Sequence, residues 1–244
     1  MTNASSAVLS DLAPTGVLRA GINYGNPVLV QRDPAGGEPR GVAPDLAREL
    51  ARRLGVAIRF ATYEGAGKMA DAVKAGEWDV AFLAIDPERA AEITFTAPYV
   101  EIEGTYLVPQ ASPLRTIEDV DREGVRVAVG AKSAYDLYLT RHLARAQIVR
   151  SPTPAGVVDL FLSQGLEAAA GIRQPLEAAA REHPGLRVIE GRFMSIRQAG
   201  GTPKGREAGA RYFAAFIEEA KASGFVRRAL ESSRQVDIAV APAG

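Results

Sequence analysis

Along this chain, short apolar runs alternate with segments whose apolar residues recur at helical spacing. LRAGI, Leu18 to Ile22, reads as a strand. After a Gly/Pro-rich turn, RDPAGGEPRG, the segment PDLARELARRLG places Leu46, Leu50 and Leu54 at i, i+4 and i+8 of a helix. Pro44 suits the entry of that helix, where a missing N–H costs nothing. Gly55 suits its end, where a left-handed residue closes the last turn. VAIRF, the helix KMADAVKAG ending at Gly76 and the strand DVAFL complete a βαβαβ unit. TYLVP, Thr105 to Pro109, reads as an extended connection. The alternation then restarts through VRVAV, SAYDLYLTRHL, QIV, PAGVVDLFLSQ, EAAAG, PLEAAARE and LRVIE. FMSIRQ, from Phe193, reads as a second extended connection. Arg206 to Ser223 forms one long helical pattern with Phe213, Phe216 and Ile217 on one face, followed by the shorter FVRRALES. The pattern predicts an α/β fold class: two α/β lobes joined by two extended hinge segments near Thr105 and Phe193. Residues 1–105 and 195–244 are expected in a discontinuous first lobe and 106–194 in the second.

Composition changes this picture mainly by exclusion. With 244 residues, 47% of them hydrophobic and 24% charged, the chain can fill one large core or two smaller ones. Lys+Arg and Asp+Glu are both 29, giving a formal charge of +0, and no basic block argues for nucleic acid or an anionic membrane. The absence of Cys removes disulfides, thiolate nucleophiles and Cys-ligated metals. No run approaches the ~18 apolar residues that span a bilayer. The opening MTNASSAVLSDLAPTG has neither a basic n-region nor an unbroken apolar h-region, so it does not read as a secretory signal.

Catalytic and cofactor motifs are weak. GAGKMA, Gly65 to Ala70, matches a dinucleotide fingerprint with Asp86 downstream, but ATYE separates it from VAIRF, and Lys68 has no Ser or Thr after it. A strand-to-helix turn is the plainer reading, with Lys68 available to an anion. His142 and His183 lack metal-ligand spacing, so no metal or cofactor is expected. Ser133 and His142 do not sit in a G-x-S-x-G context. Trp78 and Tyr99 read as packing residues.

FLAIDPERAAEITFTAPY, Phe82 to Tyr99, is more informative. Asp86 reads as an N-cap and Pro87 as the first helical residue, which puts Arg89 in the first turn. A cation there opposes the helix dipole by about 0.3–1 kcal/mol. Either Arg89 pairs with Asp86 or Glu88 on a wet surface, or it joins helix N–H groups to hold an anion from outside.

In order along the chain, PRGVAPDLARELARRLGV, AVKAGEWDVAFLAIDPERAAEITFTAPY, VRVAVGAKSAYDLYL and EEAKASGFVRRALES resemble the extracytoplasmic solute-binding proteins of the amino-acid uptake type. The resemblance covers nearly the whole chain. It implies a type 2 periplasmic-binding-protein fold whose lobes close on a small ligand in the cleft between them. It also implies that Arg89 grips the ligand's carboxylate, that Ser133 offers its hydroxyl and backbone N–H groups to the same group with Lys132 nearby, and that Ala84 contributes through its backbone. Asn23 and Asn26 in NYGNPVLVQ are the residues implied for side-chain recognition, with Tyr24 the only aromatic there. The family's acidic ammonium acceptor should follow EAAAG, where this chain has Ile172 and then Arg173. The expected ligand is a small carboxylated solute, amino-acid-like or an organic acid; the missing acceptor favours one without an α-ammonium group, such as a keto, hydroxy or dicarboxylic acid, unless Glu167 or Asp86 receives the ammonium. An ABC permease is the implied partner of a monomeric, non-catalytic protein. Its place is periplasmic if a leader was trimmed and cytoplasmic if the printed start is native. The alternatives are a cyclohexadienyl-dehydratase-like lyase, with Asp86, Glu64 or Glu167 as general acid, and a cytosolic orphan ligand sensor.

Overall fold

The structure, a computed structural model, describes residues 4–244. The chain divides into two compact units, unit 1 from 1–101 with 197–244 and unit 2 from 102–196. In chain order, unit 1 begins with α1 (Ser6–Leu12), β1 (Val17–Asn23), α2 (Val42–Leu54), β2 (Ala57–Tyr63), α3 (Ala66–Asp71) and β3 (Val80–Ala84). β4 (Ile93–Pro109) carries the chain from unit 1 into unit 2. Unit 2 continues with β5 (Arg126–Gly130), α4 (Ala134–His142), β6 (Gln147–Ser151), α5 (Val157–Ser163), β7 (Ala168–Ile172), α6 (Arg173–Glu182) and β8 (Leu186–Val188). β9 (Met194–Pro203) returns the chain to unit 1, which ends with α7 (Glu207–Ala222), α8 (Phe225–Ser232) and β10 (Ala239–Val240).

In unit 1, β1 lies parallel to both β2 and β3, while β9 runs antiparallel to β3 and β10 antiparallel to β4. In unit 2, β5 lies parallel to β6 and β7, and β4 takes β7 and β8 antiparallel. The expected parallel layers are thus the centre of each unit, and the long connecting strands join them in the opposite sense. Buried central strands should carry unbroken apolar runs, as VAFLA of β3 and AAAGI of β7 do, every residue of both being buried.

The cores follow the helical faces. α2 buries Leu46, Leu50 and Leu54 and stops at Gly55, whose φ of 69° permits the closing left-handed turn. Phe82 of β3 meets Tyr99 and Phe213 edge-on, with ring centroids 6.0 and 5.7 Å away. Trp78 is fully buried and donates its indole N–H to the Met69 carbonyl at 2.9 Å. Asp79, also fully buried, is gripped by Arg19 and Arg206, which ties β3 to β1 and α7. In unit 2, Leu107, Ala128, Phe161, Ala169 and Leu176 form one apolar cluster.

Two local expectations are corrected. The helix expected from Asp86 is a single 3₁₀ turn, Arg89–Ala91. Only Glu92 separates that turn from β4, whose β-branched ITFT favours a strand. KMADAVKAG is helical only within α3, after which Ala72 to Gly76 form successive turns. α1, capped by the Ser5 hydroxyl and buried through Val8 and Leu12, was not anticipated.

Candidate functional site

In open α/β sheets, ligands gather at the carboxyl ends of parallel strands. In unit 1 that edge is formed by Asn23, Tyr63 and Ala84, the last residues of β1, β2 and β3. The Asn23 side-chain oxygen accepts the Gly25 N–H at 2.9 Å, and the Asn23 carbonyl accepts the Asn26 N–H at 3.3 Å. This tight loop buries Asn26, whose carbonyl in turn receives the N–H groups of Leu29 and Val30. The Asn26 Oδ1 is buried and has no hydrogen-bond partner among the described residues.

Arg89 sits at the same edge, only 5% exposed, and its Nη1 donates to the Ala84 carbonyl at 3.0 Å. The Ala84 backbone carbonyl thereby orients the guanidinium. Asp86 is buried as well, and its Oδ1 caps the Glu88 N–H at 2.9 Å. Burial lowers the Arg89 pKa to about 10, outweighing the opposite pull of Asp86, Glu88 and Asp71. A three-residue turn supplies no helix dipole, so what distinguishes Arg89 is its desolvated guanidinium.

Two further residues complete this edge. Tyr24 extends the β1–β2 pairing by donating its N–H to the Tyr63 carbonyl at 2.8 Å, and Glu64 directly follows β2. Arg32 bridges them: its guanidinium lies 3.9 Å from the Tyr24 ring centroid and is hydrogen-bonded to Glu64. Glu64 is thus engaged with a cation. The glycines of GAGKMA begin two residues past β2, because ATY belongs to that strand, which corrects the expected gap. Gly67 and Met69 are buried there, and Lys68 is exposed.

The corresponding edge of unit 2 is formed by Gly130, Ser151 and Ile172. Ser133 caps α4, its hydroxyl accepting the Asp136 N–H at 3.0 Å. The Asp136 carboxylate accepts the N–H of the preceding Lys132 at 2.7 Å, and Lys132 has a φ of 55°, a left-handed conformation unusual for a residue with a side chain. Arg150 Nε reaches both Asp136 oxygens, at 3.0 and 3.1 Å. Ile172 closes β7 with no carboxylate at its own position, and it pairs with Gly104 of β4. Arg173 points its Nε at Glu103, 2.6 Å away, and also donates to the Gly191 carbonyl. The Gln174 Oε1 is buried without a hydrogen-bond partner among the described residues.

Glu167 is held by a two-pronged contact from Arg126, 2.8 and 2.9 Å, and hydrogen bonding to that arginine depresses its pKa despite the opposing effect of burial. His142 stacks on Tyr138 at 3.8 Å, and its Nδ1 lies 2.7 Å from the Tyr138 carbonyl oxygen. His183 ends α6. Among the described residues no group of His, Cys, Asp and Glu has the arrangement of a metal site, and no helix is long and apolar enough to cross a membrane. Arg32 and Gln174 were not singled out in sequence, and Asn26 was singled out without any sign of its buried oxygen. Arg32 lay in a segment that read only as a turn, and an unpartnered buried oxygen leaves no mark on residue spacing.

Two α/β units, each with a parallel centre and polar groups at its carboxyl edge, define a periplasmic-binding-protein type 2 fold. The family model of bacterial extracellular solute-binding proteins, family 3, matches residues 18–232, and the chain belongs to that family. Among similar solved structures is a solute receptor for L-cysteine of Neisseria gonorrhoeae, with 20% identity, TM-score 0.80, and coverage of 94% of this chain and 93% of that one. The ancestral amino acid-binding protein AncCDT-1, a precursor of cyclohexadienyl dehydratase, matches at 22% identity and TM-score 0.76, covering 92% and 98%. A histidine kinase sensor domain matches at 21% identity and TM-score 0.78, covering 92% and 98%. At these identities the likeness establishes the fold. No curated protein matches the chain.

Proposed function

We propose that the protein binds a small carboxylated solute lacking an α-ammonium group, as the substrate-binding component of an ABC uptake system, and does so without catalysis. Arg89 carries the reading: a buried guanidinium oriented by the Ala84 carbonyl, at the strand edge where α/β sheets bind ligands, is matched to a carboxylate. Asn23 and Asn26 meet the remainder of the solute, with the Asn26 oxygen as an acceptor awaiting a donor. Asp86 acts as a cap that shapes the Arg89 turn.

Ile172 and Arg173 stand where the family's ammonium acceptor is expected. A buried ammonium facing an aliphatic side chain costs several kcal/mol, on the order of 3–5, when nothing pairs with it. Arg173 already has Glu103, so that carboxylate is committed to a cation. The likeness to a dehydratase precursor keeps a lyase as the second reading. Its general acid would have to hold a proton near neutrality, whereas Arg126 keeps Glu167 ionised and Arg32 pairs with Glu64.

A thermal-shift screen pairing each amino acid with its deaminated analogue tests the proposal, followed by calorimetry of the strongest ligand on the Arg89→Ala variant. The analogues should stabilise more than their amino acids, and Arg89→Ala should lose the binding while remaining folded. Consistent preference for the amino acids overturns the ammonium argument, and unchanged affinity in Arg89→Ala overturns the carboxylate site. Conversion of prephenate or arogenate would establish the lyase instead.

A further inference from the structure

An aromatic face beside a carboxylate is the chemistry that recognises a guanidinium or an alkylammonium group. Unit 1 builds such a cage from Tyr24 and Glu64, at the ends of the paired strands β1 and β2. The cage is filled from within the chain: Arg32 lies over the Tyr24 ring at 3.9 Å and bonds to Glu64. Arg32 is delivered by a short excursion whose ends are pinned by the Gln31–Arg40 bridge, with N–H to O distances of 2.8 and 2.9 Å in the two directions. Tyr24 directly follows Asn23 and lies two residues before Asn26, so the cage adjoins the loop assigned above to the solute's non-carboxylate end.

We propose that Arg32 is a specificity-determining residue: by occupying the Tyr24–Glu64 cage with the protein's own guanidinium, it excludes solutes whose distal end is cationic and leaves the site to those with a neutral or anionic end. The statement about solutes rests on the function proposed above. The cage itself does not, because it needs no carboxylate on the ligand. Arg32 and Glu64 are more than half exposed in their side chains, so removing Arg32 opens the cage without taking a buried group out of the core. With Arg32 gone, Glu64 loses its partner and the Tyr24 face becomes free to receive an incoming cation.

The probe is n-butylguanidinium, with uncharged n-butylurea as its shape control, titrated into wild type, Arg32→Ala and Arg32→Ala/Glu64→Gln while the Tyr24 ring resonances are followed by NMR. Arg32→Ala should bind the cation about tenfold more tightly than wild type, as expected for one aromatic contact plus one charge-assisted bond. It should gain nothing for the urea, and the double variant should lose the gain. Equal binding by wild type and Arg32→Ala overturns the proposal, as does a gain that survives Glu64→Gln. The consequence for specificity is read by comparing 5-guanidinopentanoate with hexanoate. Arg32→Ala should shift the preference toward the guanidino acid by a similar factor. If the cage titrates as expected but neither acid binds any of the proteins, the cage stands and the carboxylate-binding reading fails.

Discussion

Replacing Asp79 by Asn probes the contact that holds the two sequence-distant parts of unit 1 together. The carboxylate is fully buried and accepts from the Arg19 backbone N–H at 3.1 Å, from Arg19 Nε and Nη2 at 2.9 and 2.7 Å, and from Arg206 Nη1 at 2.8 Å. Asparagine keeps the shape but removes the charge, and its NH₂ turns a donor toward a guanidinium that also donates. Breaking a buried ion pair costs about 3–5 kcal/mol. The Arg19 and Arg206 side chains are 26% and 21% exposed and recover part of their hydration, so the lower end, about 3 kcal/mol, is expected. Trp78 is the chain's only tryptophan and precedes Asp79, so its fluorescence reports unfolding of unit 1. With a urea m-value of about 3 kcal/mol/M, the midpoint should fall by about 1 M.

A pH series separates loss of charge from loss of packing. Burial alone would raise the Asp79 pKa, but the hydrogen bonds from Arg19 and Arg206 overcome it and hold the group below its ordinary 3.8. Because the folded value lies below the unfolded one, the contribution is fully present above the unfolded pKa and is lost as pH falls through the folded one. The gap between wild type and Asp79→Asn should therefore be constant near neutrality and narrow below about pH 4. A midpoint within about 0.2 M of wild type at pH 7, or a gap that ignores pH, refutes the reasoning.

Gly200→Ala should cost about 3 kcal/mol by denaturant titration, because its Cβ would stand 2.5 and 2.6 Å from atoms of the fully buried Phe213 ring. Glu49→Gln should cost about 1 kcal/mol at pH 7, since hydrogen bonding from Arg52, opposed by burial and aided by Arg53, lowers the Glu49 pKa to about 2. That difference should fade as pH falls from about 4.5 toward 2, the window between the unfolded and folded values, when followed by circular dichroism. Trp78→Phe should lose about 1 kcal/mol beyond its packing change, in the same assay, through the abandoned Met69 carbonyl.

Periodic elements were legible and long-range polar pairings were not. Leu46, Leu50 and Leu54 with Gly55 specify α2 and its end, because apolar spacing and the left-handed cap agree, whereas the helix begins at Val42, two residues before the expected entry at Pro44. The Arg89 segment failed as a helix since its cap signals were genuine but only five residues separate Pro87 from the strand-forming ITFT. Arg89 nevertheless remained the candidate for a carboxylate, for a different physical reason than its position in a helix. α1 carried a signal, Val8 and Leu12 four apart behind Ser5, that went unread amid polar neighbours. The partners of Arg32 lie 8 and 32 residues away, and no local rule pairs a turn arginine with a particular ring and carboxylate.

The order in which the chain threads the two units has a consequence for how it acquires its structure. Unit 2 is one unbroken stretch, and its Arg126–Glu167 clasp spans 41 residues. Unit 1 is written in two instalments, and the Arg206 clasp on Asp79 spans 127. Closing the longer loop costs about 1 kcal/mol more in chain entropy, from the logarithmic dependence on length. More importantly, during synthesis unit 2 emerges whole while unit 1 still lacks β9 and α7. At that stage Phe82 has no Phe213 to meet, and Asp79 holds only one of its two guanidiniums. The nascent protein therefore passes through a period in which one half can finish folding and the other displays an apolar sheet face, and the last fifth of the message decides when that exposure ends.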